Sequence, residues 1–181
     1  FEHNRPAIIL SVGSIRPGFD SETGDAIDHV SSFQIEGCDD EPLKRRIALE
    51  ACPGFGSCGG MFTYNTMQIF IGVVGMQPVH MVSPASEDLR RTTKFPNELI
   101  DYLSNLITIG ITPRDIATRD SIRNAIIVSM AVGVSTNVML HAPEIARAAG
   151  YKNFSTDIMS AAEFNHLFEN VIPVVVNAQP F

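Results

Sequence analysis

The chain has 181 residues, 45% hydrophobic and 18% charged, a globular composition rather than a disordered one. Thirteen Lys and Arg against 20 Asp and Glu leave a net charge of −7, so no basic surplus exists to neutralise nucleic-acid phosphates or an anionic membrane surface. No apolar run approaches the roughly 20 residues that cross a bilayer, and three cysteines, an odd number, argue for thiols in a reducing compartment or metal ligands rather than a disulfide framework.

The chain opens at Phe1, without Met or a secretory leader, and is expected to be a piece of something longer. Residues 6–13 (PAIILSVG) are apolar up to a glycine and predict a buried strand of a parallel sheet. Residues 14–25 read as loop, 26–35 as a short helix, and 42–51 as a helix carrying Leu43, Ile47 and Leu49. A glycine-rich loop over 52–60 leads into an apolar helix over 61–74, expected to pack on both sides. The stretch 86–109 predicts helix interrupted at Pro96, with Leu99, Ile100, Leu103, Leu106 and Ile107 on one face. Thr112, Pro113 and Asp115 make a helix start: a cap, a proline at the first position and an acid at the positive end. Thr118 caps the next helix, which carries Ile122, Ala125, Ile126, Val128 and Met130 and stops at Gly133. Another helix spans 137–149 and ends at Gly150. Ser160 and Glu163 resemble a capping box, and 171–176 predict a second strand. Two strands make a poor sheet alone, so partner strands are expected outside this chain.

The densest chemical signal is the run 50–67 (EACPGFGSCGGMFTYNTM). Gly54, Gly56, Gly59 and Gly60 let backbone amides approach a bulky or anionic ligand. A helix N-terminus favours negative charge, so a cysteine there suits a metal-bound thiolate. Thr63 and Asn65 add polar side chains one turn on. Cys52 and Cys58, with five residues between them, do not have zinc-type spacing, and two buried structural cysteines in a turn remain the alternative. Ser135, Thr136 and Asn137, followed by His141, form a turn that would hold a carboxylate or phosphate, or an ordinary N-cap with a core histidine. Arg16, beyond the first predicted strand, meets an anionic substrate or solvent. Cys38, Asp39 and Asp40 offer a cation site or a solvated acidic turn, and His29, His80 and His166 have no partners at metal-site spacing.

In order along the chain, Asn4–Pro6, the run 51–63 (ACPGFGSCGGMFT), Asn65–Met67, Gly75–Met76, Ile111–Asp115, Asn124–Ala125, Ser135–Asn137, Leu140–His141 and Ile145–Ala146 resemble the dihydroxy-acid and sugar-acid dehydratase family. The wording of the cysteine–glycine segment and the closing Gln179–Phe181 are nearer the dihydroxy-acid branch. The resemblance implies an α/β fold, a three-layer α/β/α sandwich around a mainly parallel sheet, incomplete here. Residues 1–181 would be part of the N-terminal domain, and the family's β-barrel-like C-terminal domain would be absent.

It also implies removal of water from a 2,3-dihydroxy acid to give a 2-keto acid, as in branched-chain amino-acid biosynthesis. In the family an iron–sulfur cluster on three cysteines, 2Fe-2S or 4Fe-4S, acts as Lewis acid on the 3-hydroxyl. Mg²⁺ grips the carboxylate and 2-hydroxyl, and a serine alkoxide takes the C2 proton. Cys58 matches the third cluster cysteine, with Gly59 and Gly60 in the cluster loop; Cys52 matches no ligand position and is expected beside the site or structural. The other two cysteines and most Mg²⁺ ligands would precede Phe1, and the catalytic serine would follow Phe181; Ser135 is not that serine. Cys38–Asp40 lacks the lysine of the family's Cys-Asp-Lys motif and falls on the wrong side of the first strand. Tyr64 stands where the family usually has Ala, Val134 where it has Gly, and Pro143 in a helix that normally has none, which bears on substrate room.

The expected partner is a small dihydroxy acid, with a homo-oligomer, dimer or tetramer, in bacterial cytoplasm or a mitochondrial or plastid matrix. The alternatives are a sugar-acid dehydratase acting on an aldonate or phosphogluconate, and a non-catalytic binding or regulatory domain with structural cysteines.

Overall fold

Helices dominate the computed structural model, which describes residues 1–82 and 84–171. Two short strands, β1 (Gly18–Phe19) and β2 (Ala26–Ile27), pair antiparallel with Gly18 opposite Ile27. They are followed by α1 (His29–Gln34), α2 (Glu41–Glu50), α3 (Thr63–Val74), α4 (Arg90–Thr93), α5 (Phe95–Ile109), α6 (Pro113–Ile116), α7 (Arg119–Val132), α8 (Asn137–Ala149), α9 (Phe154–Asp157) and α10 (Ala161–His166). No helix among the described residues is long and apolar enough to cross a membrane.

The main core lies where α3 meets α7 and α8: Phe70, Ile71 and Val74 pack with Ile122, Ala125, Ile126, Val138, Ala142 and Ala146. Small residues on α7 and α8 let the helices approach, and α3 is buried on several sides, as its all-round apolar sequence requires. It stops at Gly75, whose φ of 101° is left-handed and whose amide closes back on Ile71 and Gly72. A smaller core of Ile27, Ile47 and Ala51, with Cys52 packed against it, joins the hairpin to α2. Arg46 on α2 ties the hairpin tip through Asp20 (3.1 Å) and Glu22 (2.6 Å).

Several helix ends follow local rules. Asp28, Asp40, Thr118, Asn153 and Ser160 accept amides at helix starts, and Thr112 and Asp115 form a reciprocal capping box. Ser160 caps alone, however: Glu163 is drawn instead to Arg123 on α7, 2.6 Å away. The segment 14–25, expected as loop, carries β1, and the expected helix over 26–35 begins only after its cap, Asp28. The stretch 86–109 breaks into α4 and α5, with Pro96 in the first turn of α5.

Helices and strands coexist as in an α/β chain, but the parallel sheet of a sandwich does not form among the described residues. Residues 6–13 make no strand. Ile9 donates to the Met76 carbonyl (2.9 Å), yet no strand among the described residues runs beside the segment, and Ile9, Leu10 and Val12 are exposed. Among the described residues the one parallel pairing is an isolated bridge between Ser14 and Ser57. Of the second expected strand, Val171 closes a π-type turn from Leu167, while 172–176, like Gln179–Phe181, lie outside the described residues. The predicted apolar face of α5 is present but uncovered: Phe95 is buried, whereas Ile100 and Ile107 are more than half exposed.

Candidate functional site

The loop ahead of α3 is held from three directions. Ile15 donates to the Ser57 carbonyl (2.7 Å), Ser57 donates to the Gly13 carbonyl (2.9 Å), and Ser86 donates its amide to Ser14 (3.0 Å) and its hydroxyl to Phe55. Added side chains are crowded at several glycines of this junction. A Cβ on Gly56, whose φ is +143°, would stand 2.7 Å from both the Ile15 nitrogen and Ser86 Oγ; one on Gly60 would stand 2.6 Å from His29 Nε2.

Cys58 sits inside this crowded bend, half-buried and unpaired. The α3 N-terminus that follows has no side-chain cap, so its first amides remain a favourable place for negative charge. Asn65, buried in the first turn of α3, donates to the carbonyls of Cys58 (2.9 Å) and Gly60 (2.6 Å) and accepts from Ser14 Oγ (2.8 Å). Tyr64, the bulky departure, is used to hold the neighbouring loop: its hydroxyl accepts the Gly13 amide (2.5 Å) and donates to Gln68 Oε1 (3.3 Å).

Cys52 is a different kind of thiol. It packs on the smaller core, and burial pushes it up from its ordinary value, with the Asp28 carboxylate and Cys58 adding to the effect. It lines a cavity of about 180 Å³ with Arg16, Asp28, His29 and Gly59. A second cavity of about 240 Å³ also reaches Gly59 and is lined by Ser14, Asn65 and Gln68. A larger apolar cleft, about 360 Å³, lies at the opposite end of α3, between Met76 and α5.

The turn of Ser135, Thr136 and Asn137 docks on the same end of α3. Ser135 donates its amide to Thr66 Oγ1 (3.0 Å), and Asn137 donates its side-chain amide to Thr63 Oγ1. Thr136 is left exposed, without a cap hydrogen bond. Thus the first two turns of α3 carry both sequence signals, the cysteine–glycine loop and the Ser-Thr-Asn turn. The weaker candidates are occupied. Asp40 caps α2 and its amide donates to Cys38 Sγ (3.4 Å), Arg16 lies 3.8 Å from Glu87, and His80 pairs with Glu98 at 2.8 Å.

The sequence did not single out His29. Its Nε2 is buried without a partner, closed in behind Gly60; the nearest sequence signal was its place next to the capping residue Asp28.

For a metal group implied by the dehydratase motifs, the described residues fit one corner. The glycine cradle and the unpaired Cys58 suit a single thiolate ligand beside a large inorganic group. No three His, Cys, Asp or Glu side chains gather for a metal among the described residues, so a Mg²⁺ site is not formed by them.

The family profile described as the N-terminal part of dihydroxy-acid/6-phosphogluconate dehydratases matches residues 1–181. A mitochondrial dihydroxy-acid dehydratase of Penicillium brasilianum is 37% identical over 165 residues, 88% of this chain and 27% of that protein. A chloroplastic dihydroxy-acid dehydratase of Arabidopsis thaliana is 34% identical over 88% of this chain and 27% of its own length. One from the cyanobacterium Nostoc is 42% identical over 81% of this chain and 26% of its own length. The chain thus spans about a quarter of these relatives. With its cysteine–glycine loop and Ser-Thr-Asn turn joined on one helix, the chain belongs to the dihydroxy-acid/6-phosphogluconate dehydratase family.

Proposed function

We propose that the intact protein is a hydro-lyase that removes water from a 2,3-dihydroxy carboxylic acid to give a 2-keto acid, and that this chain supplies Cys58 as one ligand of its iron–sulfur cluster. The carrying observation is the Cys58 bend: an unpaired, half-buried thiol, flanked by glycines of which Gly56 and Gly60 leave little room for a side chain, next to an uncapped helix N-terminus. When bound, the cluster supplies a Lewis acid for the departing hydroxyl. This chain's own residues hold and orient. Gly59 and Gly60 give the group room, and Asn65 fixes the bend. Cys52, packed on the smaller core and with its thiol pushed up by burial, supports the loop from behind rather than serving as a ligand. Ser135, Thr136 and Asn137, whose turn is docked on the same end of α3, are the substrate-side candidates.

Residues 1–181 belong, in this reading, to an N-terminal α/β/α domain whose other strands cover Ile9, Leu10 and Val12, with the β-barrel-like domain elsewhere in the protein. One cysteine is compatible with a 2Fe-2S or a 4Fe-4S cluster. The remaining cysteines, the Mg²⁺ ligands and the proton-abstracting serine lie outside this chain, which is inactive alone. The proposed role is in branched-chain amino-acid biosynthesis, in bacterial cytoplasm or a mitochondrial or plastid matrix; relatives named as mitochondrial and chloroplastic enzymes are in keeping with an organellar home. The proposed partner is a small dihydroxy acid, and the proposed working form is a homo-oligomer, dimer or tetramer, without nucleic acid or membrane.

The test is full-length protein purified without oxygen. Bound iron and sulfide, visible absorbance and 2-keto acid formed from a dihydroxy acid support the proposal. Faster turnover of an aldonate or 6-phosphogluconate moves it to the sugar-acid branch. A colourless, metal-free and inactive protein makes it a binding or regulatory domain.

A further inference from the structure

The carbonyl oxygens of Cys58 and Gly60 only accept hydrogen bonds, so the Asn65 atom 2.9 and 2.6 Å from them is Nδ2. Oδ1 faces Ser14 Oγ at 2.8 Å and Gln68 Nε2 at 3.4 Å. Gln68 is itself buried and accepts from Tyr64, whose hydroxyl holds Gly13. The orientation of one side-chain amide is therefore set by a chain of polar contacts reaching residues 51 positions earlier.

That orientation has a consequence on the far side of the bend. A trans peptide is planar, with its N–H pointing opposite to its C=O, and no peptide bond here is cis. Drawing the Cys58 and Gly60 carbonyls onto Asn65 turns the amides of Gly59 and Met61 away from it. Neither amide donates a hydrogen bond among the described residues. We infer that Asn65 is a positioning residue: by holding these two carbonyls it turns the Gly59 and Met61 N–H groups outward, as donors to the sulfur of the inorganic group that Cys58 anchors. Such bonds stabilise the more negative, reduced form and slow loss of the group. The inference rests on the cluster reading above.

The test uses full-length, anaerobically purified holoprotein, with Cys58→Ser as reference for the cluster itself. Asn65→Leu keeps the size and removes both donors. It is expected to lose iron to a chelator about ten-fold faster than wild type, and to show a more negative midpoint potential in an EPR-monitored titration. Ile126→Val, in the α3–α7 core, is the control for general destabilisation and is expected to move neither reading. If wild type holds a cluster, Cys58→Ser does not, and Asn65→Leu matches wild type, the positioning role is overturned while the cluster reading stands. Iron-free wild type overturns both. If Asn65→Leu does not fold, Ser14→Ala, which frees Asn65 Oδ1, carries the same two readings: a shift in the same direction supports the role, and wild-type values overturn it.

Discussion

His29 Nε2 lies 2.6 Å from the point that a Cβ on Gly60 would occupy. The imidazole is held there edge-on by Phe33 and Phe62, with ring centroids 6.1 and 5.2 Å away. Gly60→Ala therefore forces the ring or the bend to move, at a cost of about 1–3 kcal/mol. His29→Ala clears the space, so the double variant loses less than the sum of the two single ones. Denaturant midpoints of all four proteins measure this.

Thr66 is fully buried, and its hydroxyl accepts the Ser135 amide. Thr66→Val preserves shape but leaves that amide unpaired, which costs about 1–3 kcal/mol. Hydrogen exchange at Ser135 is expected to quicken together with the fall in stability.

Ser129 Oγ is buried on α7 without a partner. Ser129→Ala removes the unsatisfied hydroxyl and raises helix propensity, so it is expected to stabilise by about 1 kcal/mol. A lowered unfolding midpoint would show that the hydroxyl has a partner in solution.

Asp88 is held at about 2, below its ordinary 3.8, by the Arg90 guanidinium and then by the Arg90 amide. A carboxyl whose value is depressed on folding adds stability that is full above 3.8 and is lost as the pH falls through about 2. Asp88→Asn should therefore flatten that part of the acid limb and leave the slope near neutrality unchanged, read from denaturant midpoints of the apoprotein across pH.

Helix ends were legible in the sequence because their partners lie within one turn, as with Thr112 and Asp115 or Thr118 and Ser121. Where a distant residue competes, local reading fails: Arg123, 40 positions away, takes the Glu163 carboxylate from the Ser160 cap. The apolar run 6–13 announced burial, but a strand is a pairing property and no neighbouring strand is formed beside it among the described residues. The α5 stripe was likewise readable while its partner was not. At the site, the cysteine–glycine spelling marked the bend and named Asn65 as nearby, but its grip on Cys58 and Gly60 depends on Ser14, which no spacing rule connects to it. His29 was passed over because Gly60 and Phe62, which close in on it, meet it only after folding.

The most direct measurement is iron and acid-labile sulfide per chain in full-length wild type, Cys58→Ser and Cys52→Ser, all purified without oxygen. Wild type and Cys52→Ser are predicted to carry the cluster, and Cys58→Ser to lack it while remaining folded. A Cys58→Ser protein that keeps its iron, its sulfide and its turnover would contradict the assignment of Cys58 as a ligand.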